Sequence, residues 1–140
     1  MTSQKESALT KQANGAFDVK VIPQTDDNPM DPTIGRMTLD KQYHGALEAI
    51  GKGVMLAGGT EVEGSGVYVA IERVNGKLDG QGGTFLLQHG GVMTRGVPHL
   101  TITVVPDSGT GDLVGLSGKM MINVVDGKHF YEFEYTLSQS

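Results

Sequence analysis

The sequence contains no cysteine, so neither a disulfide framework nor a cysteine zinc site is available to it. No apolar run approaches the roughly 18 residues that span a bilayer as a helix. The first residues, MTSQKESALTKQANG, are polar and lack the apolar centre of a secretory leader. Together these absences lead us to expect a soluble, cytoplasmic protein. Basic residues are also few and scattered: 11 Lys and Arg against 16 Asp and Glu give a net charge of -5. Phosphate recognition needs a clustered basic face, so neither nucleic acid nor an anionic membrane is an expected partner.

Glycine, by contrast, is abundant, at 21 of 140 residues. That is about twice the usual ~7 %, and it suits turns and close backbone approaches far better than helices. Residues 1–14 carry no period and are expected to form a mobile tail, leaving 15–140 as one domain. From AFDVKVIP onward the chain alternates apolar and polar residues in short runs. After the acidic loop QTDDNPMDP come IGRMTLDKQYHG, LEAIGKGVMLAGG (Gly-interrupted, with room for a bulge), GVYVAIERVNGKLDG, GTFLLQHGGVM, HLTITVV, GKMMINVV and KHFYEFEYTL. Asn75-Gly76 and Asp126-Gly127 read as hairpin turns. The fold class is all-β: eight strands in up-and-down order, most simply closed into an antiparallel barrel that leaves no exposed edge. A two-sheet sandwich is the competing arrangement.

Three familiar motifs are suggested by VVPDSGTGDLVGLSG, and none fits its context. The dinucleotide fingerprint needs a helix after its glycines, whereas here another β-branched strand follows. A P-loop needs four residues between its two glycines, and the residue five before Gly118 is Leu113. An aspartic-protease loop needs a regular strand running into Asp107, where Pro106 stands instead. The stretch reads as a Gly-rich connection between strands.

His44, His89, His99 and His129 lie in different strands or turns, with no H-x-H or H-E-x-x-H spacing, and no G-x-S-x-G elbow occurs. No metal or cofactor is therefore expected. The polar residues worth testing come from strand parity. Val67, Val69, Ile71 and Arg73 share one face of their strand, which puts Tyr68 and Glu72 with Ala70 on the other. If that second face lines a cavity, Tyr68 and Glu72 point inward; otherwise Glu72 is a surface charge. His89 shares parity with Phe85 and Leu87, as a ligand contact or a hydrogen-bonded core residue. Glu132 and Glu134 share a face about 7 Å apart, either as a buried carboxylate pair or as solubilising charge.

The segments GRMTLDKQYHG, YVAIERVNGKLDG, GTFLLQHGG, VVPDSGTGDLVGLSG and DGKHFYEFEYTL resemble a family of uncharacterised small bacterial proteins. Their barrel is similar to that of plant allene oxide cyclase and, in shape, to dirigent proteins. The resemblance runs from about Phe17 to Leu137. It implies an eight-stranded barrel with a central cavity, often assembled into homo-oligomers, and by analogy a small apolar ligand. An isomerase or cyclase would use Glu72 and His89 as catalytic residues, with Tyr68, Glu132 and Glu134 among the ligand contacts. The alternative is a structural or interaction module whose barrel is filled by its own side chains.

Overall fold

A computed structural model describes residues 9–25 and 30–138. Eight antiparallel strands close into a barrel in simple sequence order. They are β1 (Lys11–Pro23), β2 (Ile34–Tyr43), β3 (Leu47–Gly59), β4 (Gly66–Leu78), β5 (Gln81–Thr94), β6 (Val97–Val104), β7 (Leu116–Val125) and β8 (Lys128–Leu137). Pairing of β1 with β8, from Lys11↔Tyr135 to Phe17↔His129, seals the cylinder. The barrel expectation is met and the sandwich is not.

β1 begins inside the expected tail. Residues 11–14 pair with β8, and Ala13 is fully buried between polar, outward-facing neighbours. A polar strand with one small inward residue has too weak an alternation to be read from sequence. Residues 1–8 of that tail, and 26–29 of the acidic loop, lie outside the described residues.

Three connections are two-residue turns with positive φ at both positions: Asp79-Gly80, Arg95-Gly96 and Asp126-Gly127. Such turns twist in the sense the flanking strands require, and glycine adopts the conformation without strain. Asn75-Gly76 is not one of them. Both residues lie mid-strand in an unbroken β4 register, opposite Ile50 and Ala49. Gly76 is glycine because a Cβ there would sit 2.2 Å from the Glu48 carbonyl oxygen and 2.5 Å from the Ala49 Cα. A close backbone approach in the barrel wall thus imitates a turn signal. β3 likewise pairs residue by residue with β4 and carries no bulge.

VVPDSGTGDLVGLSG does more than link β6 to β7. β6 covers β5 only from Leu87 onward, which would leave the start of β5 unpaired. The connection folds over that edge: Val105 N–H donates to Leu86 O, Thr110 N–H to Thr84 O, and the Leu86 N–H to Ser108 Oγ. A single 3-10 turn, Gly111–Leu113, then drives Leu113 into the barrel end, where it is 1 % exposed.

Inward side chains divide the interior into two halves. One end is solid, with Phe85, Phe133 and Tyr135 stacked at centroid spacings of 5.9 and 5.5 Å and Tyr43 edge-on to Tyr131. Its polar atoms are satisfied locally: the Tyr131 hydroxyl donates to His44 O and accepts from the Leu47 N–H, and the Tyr135 hydroxyl bonds Asp79. The other end, around Met37, Met55, Tyr68 and Leu100, is open.

Candidate functional site

Between the two halves lies a buried polar cluster. Glu72 faces inward from β4 and is completely buried; Lys41 and Tyr43 on β2 and His89 on β5 are 5, 0 and 3 % exposed. Lys41 Nζ and His89 Nε2 approach Glu72 Oε1 at 3.1 and 2.8 Å, while the Tyr43 hydroxyl donates to Oε2 at 2.5 Å. Lys41 Nζ also stands 5.1 Å from the Phe17 ring centre. The local sequence makes room for this arrangement. Gly51 on β3 sits against the carboxylate, where a Cβ would come within 2.0 Å of Glu72 Oε2.

Burial raises the pKa of Glu72, because a low-dielectric interior disfavours the charged form. The bonds from His89, Lys41 and Tyr43 outweigh it, and the carboxyl is held below its ordinary value. Burial, reinforced by the neighbouring Glu72 charge, pushes the Tyr43 phenol well above its ordinary value. The cluster therefore holds an ionised carboxylate against a lysine, with the proton retained on Tyr43. An ionised carboxylate beside His89 Nε2 favours a proton on that ring nitrogen and fixes the orientation of the imidazole.

The open end forms an apolar cavity of about 510 Å³, lined from within by Met37, Met55, Ala57, Tyr68, Met93 and Leu100. No Lys, Arg, Asp or Glu lines it. Tyr68 is the hydroxyl-bearing side chain on its inner wall. Its ring lies against Gly91, where a Cβ would be 2.4 Å from the ring edge. Burial raises the pKa of this phenol, and no hydrogen bond to the described residues offsets that. Along β5, His89 is the next inward residue below Gly91, about 7 Å deeper by strand rise. The cluster thus lies one layer beneath the cavity floor, with Ala70 and Ile102 opposite His89 on the adjoining strands.

Of the residues singled out by parity, the structure brings together Glu72 and His89 and sets Tyr68 above them. Glu132 and Glu134 stand apart on the outer face of β8, where Asn123 Nδ2 donates to Glu132 and Lys119 lies 3.9 Å from Glu134. Lys41 and Tyr43 complete the cluster and were not among the candidates. A signal for Lys41 was present, since it falls between Leu39 and Tyr43 on the apolar parity of β2. Among the described residues no group of three His, Asp or Glu side chains is placed to hold a metal ion, and no helix is long and apolar enough to cross a membrane.

No curated protein matches this chain. A crystal structure of a DUF3224-family protein of unknown function from Shewanella oneidensis MR-1 is similar to it, with 46 % sequence identity and a TM-score of 0.88. That alignment covers 94 % of this chain and 100 % of the other. The family model described as "Protein of unknown function (DUF3224)" matches residues 13–135, nearly the whole barrel, and on these two findings the chain belongs to the DUF3224 family.

Proposed function

We propose that this protein binds a small, uncharged, largely apolar molecule in the open end of its barrel. The observation that carries the reading is the cavity of about 510 Å³, within the range of small-molecule sites, with a largely apolar wall, the Tyr68 hydroxyl on β4, and Ser65 and His99 also among its lining. A charged ligand group buried here would meet no Lys, Arg, Asp or Glu side chain, and its desolvation would go largely uncompensated. A neutral molecule with one hydroxyl or carbonyl would instead bond Tyr68 and bury the rest against Met37, Met55 and Met93. Methionine's flexible thioether suits a wall that must fit an irregular hydrocarbon.

Binding is the primary role in this reading. An isomerase or cyclase step, as in the allene oxide cyclase analogy, would begin with confinement of the ligand. Proton transfer would fall to His89, the first titratable side chain below the floor, with Glu72 orienting it and Lys41 and Tyr43 holding Glu72 ionised. Glu132 and Glu134 have no part in this scheme. The protein is read as cytoplasmic, without nucleic-acid or membrane partners. The side-chain-filled alternative is favoured at the opposite end only, where the aromatic stack leaves no room for a ligand.

A thermal-shift screen with neutral alcohols and ketones, against carboxylic acids of equal carbon number, tests the proposal. Neutral compounds should raise Tm and the acids should not. Tyr68→Phe should weaken the best alcohol about tenfold, the loss of one good hydrogen bond. Ala57→Phe, which fills the cavity, should abolish binding while the barrel stays folded. Equal binding of the best compound by Ala57→Phe and the unaltered protein would remove the cavity from the account.

A further inference from the structure

The outer face of β3, β4 and β5 carries an unusual surface. Val54, Leu56, Val67, Val69, Ile71 and Val92 all point outward, and each is close to half exposed or more. Register makes them one patch: Val54 lies opposite Ile71, Leu56 opposite Val69, and Val67 opposite Val92. By strand rise and spacing the patch extends roughly 13 Å along the strands and about 10 Å across them. Isolated apolar side chains are ordinary on a protein surface; a contiguous field of this kind marks an interaction site.

Three features of the patch fit a second copy of this chain. It has a projection, since Ile71 is 61 % exposed, the most of any residue in the patch. It has a depression as well. Where Gly58 and Gly66 leave the wall bare beside Ile34, Val67 and Val92, the surface hollows to about 460 Å³. Its ends differ in net charge: exposed Lys52 and Arg73 face each other across β3 and β4 at one end, with Asp40 opposite Lys52 on β2, and exposed Glu61 and Glu63 occupy the β3–β4 turn at the other, beside Arg95. That turn is tied down, with the Gly96 N–H donating to Gly64 O and the Arg95 N–H to Ser65 Oγ. Two like charges directly opposed on a sheet are unfavourable, and the single Asp40 carboxylate opposite Lys52 leaves one positive charge in excess there.

We propose that the protein forms a two-fold dimer through this face, with the axis passing near Val69. A two-fold axis that lies in the interface and runs across the strands pairs each end of the patch with the opposite end of the partner. Ile71 then enters the partner's Gly58 hollow, and Lys52 and Arg73 meet the partner's acidic turn. Apolar burial in the centre supplies the affinity, and the charges at the ends set the register. The dimer does not require the ligand reading, but the hollow and the cavity share the rim residues Gly58, Ser65, Gly66, Val67, Val92 and Met93, so Ile71→Lys, outside that rim, separates the two.

Sedimentation velocity of the full chain over a wide concentration range tests the dimer. We expect a dimer at micromolar concentration that weakens as salt is raised. Gly58→Phe fills the hollow, and an added Cβ there meets nothing closer than 3.7 Å in its own barrel, so the fold is kept while the dimer is lost. Ile71→Lys should also give monomers, with Ile71→Ser as the milder variant should the lysine disturb folding. Glu61→Lys with Glu63→Lys, or Lys52→Glu with Arg73→Glu, should each weaken association at least tenfold. All four together should restore it to within a few-fold. A monomer at every concentration, a trimer, or a dimer indifferent to Gly58→Phe and both Ile71 variants would overturn the proposal. Absence of rescue by the fourfold exchange would overturn its charge arrangement.

Discussion

The two ends of the barrel are built from the same strands and filled differently. At one end the inward positions carry Tyr43, Phe85, Tyr131, Phe133 and Tyr135, with Leu113 brought in by the β6–β7 connection. At the other end the same alternation delivers methionines, Ala57 and Gly91. Aromatic residues of fixed shape make a solid core, whereas flexible and small ones leave volume. Closure of the barrel is secured at the filled end, so the open end is free to keep space that contributes little to stability. The polar cluster sits at the boundary, where the interior is dry enough to strengthen electrostatics and still one layer from the cavity.

This contrast can be broken most forcefully at the filled end. Phe133→Ala removes a fully buried ring between Phe85 and Tyr135, and should lower stability by about 3–5 kcal/mol in denaturant melts. Next comes the boundary. Lys41→Met leaves Glu72 buried without its cation, and a loss of about 3 kcal/mol is expected by the same measurement. Gly51→Ala pushes a methyl into the Glu72 carboxylate, so about 1–3 kcal/mol should be lost through strain and weakened bonds. A crystal structure of that variant should show the carboxylate displaced.

Acid should act through the same boundary. The native Glu72 carboxyl takes up a proton less readily than an unfolded one, whose ordinary value is 4.5. Its stabilisation is therefore complete above that value and is lost as pH falls through the lower native one. Urea melts of the unaltered protein should steepen in pH dependence across this window, and those of Glu72→Gln should be flatter there. The smallest effect belongs to the open end. Met55→Ala borders existing space, so it should cost about 1 kcal/mol or less while changing which ligands raise Tm.

Much of the barrel was legible because a strand of period two, with one side buried, announces itself. All eight strands appear as alternating segments, and FYEFEY could be nothing else. Parity alone put Tyr68 with Glu72 on one face of β4 and His89 with Phe85 and Leu87 on one face of β5; which face points inward depends on how the sheet closes. Asn75-Gly76 misled because glycine serves two needs, a turn and a close wall contact, and only the three-dimensional neighbour tells them apart. Lys41 went unmarked for a related reason: a lysine on an apolar parity is normally a strand-end charge, and the carboxylate that holds it lies 31 residues away on β4. The glycines of VVPDSGTGDLVGLSG gave a loop, but its role in covering the start of β5 depends on how far β6 extends. That is a property of the sheet and not of the segment.

The seam between β1 and β8 also governs how the chain can fold. Seven of the eight strand pairings join neighbours in sequence, and can form progressively as hairpins. The eighth brings Lys11 to Tyr135, which requires closing a loop that spans almost the entire chain. That step carries the largest chain-entropy cost and cannot occur before β8 exists. During synthesis the growing meander must therefore wait with β1 unpaired on one side, and the barrel becomes a barrel only with its final strand.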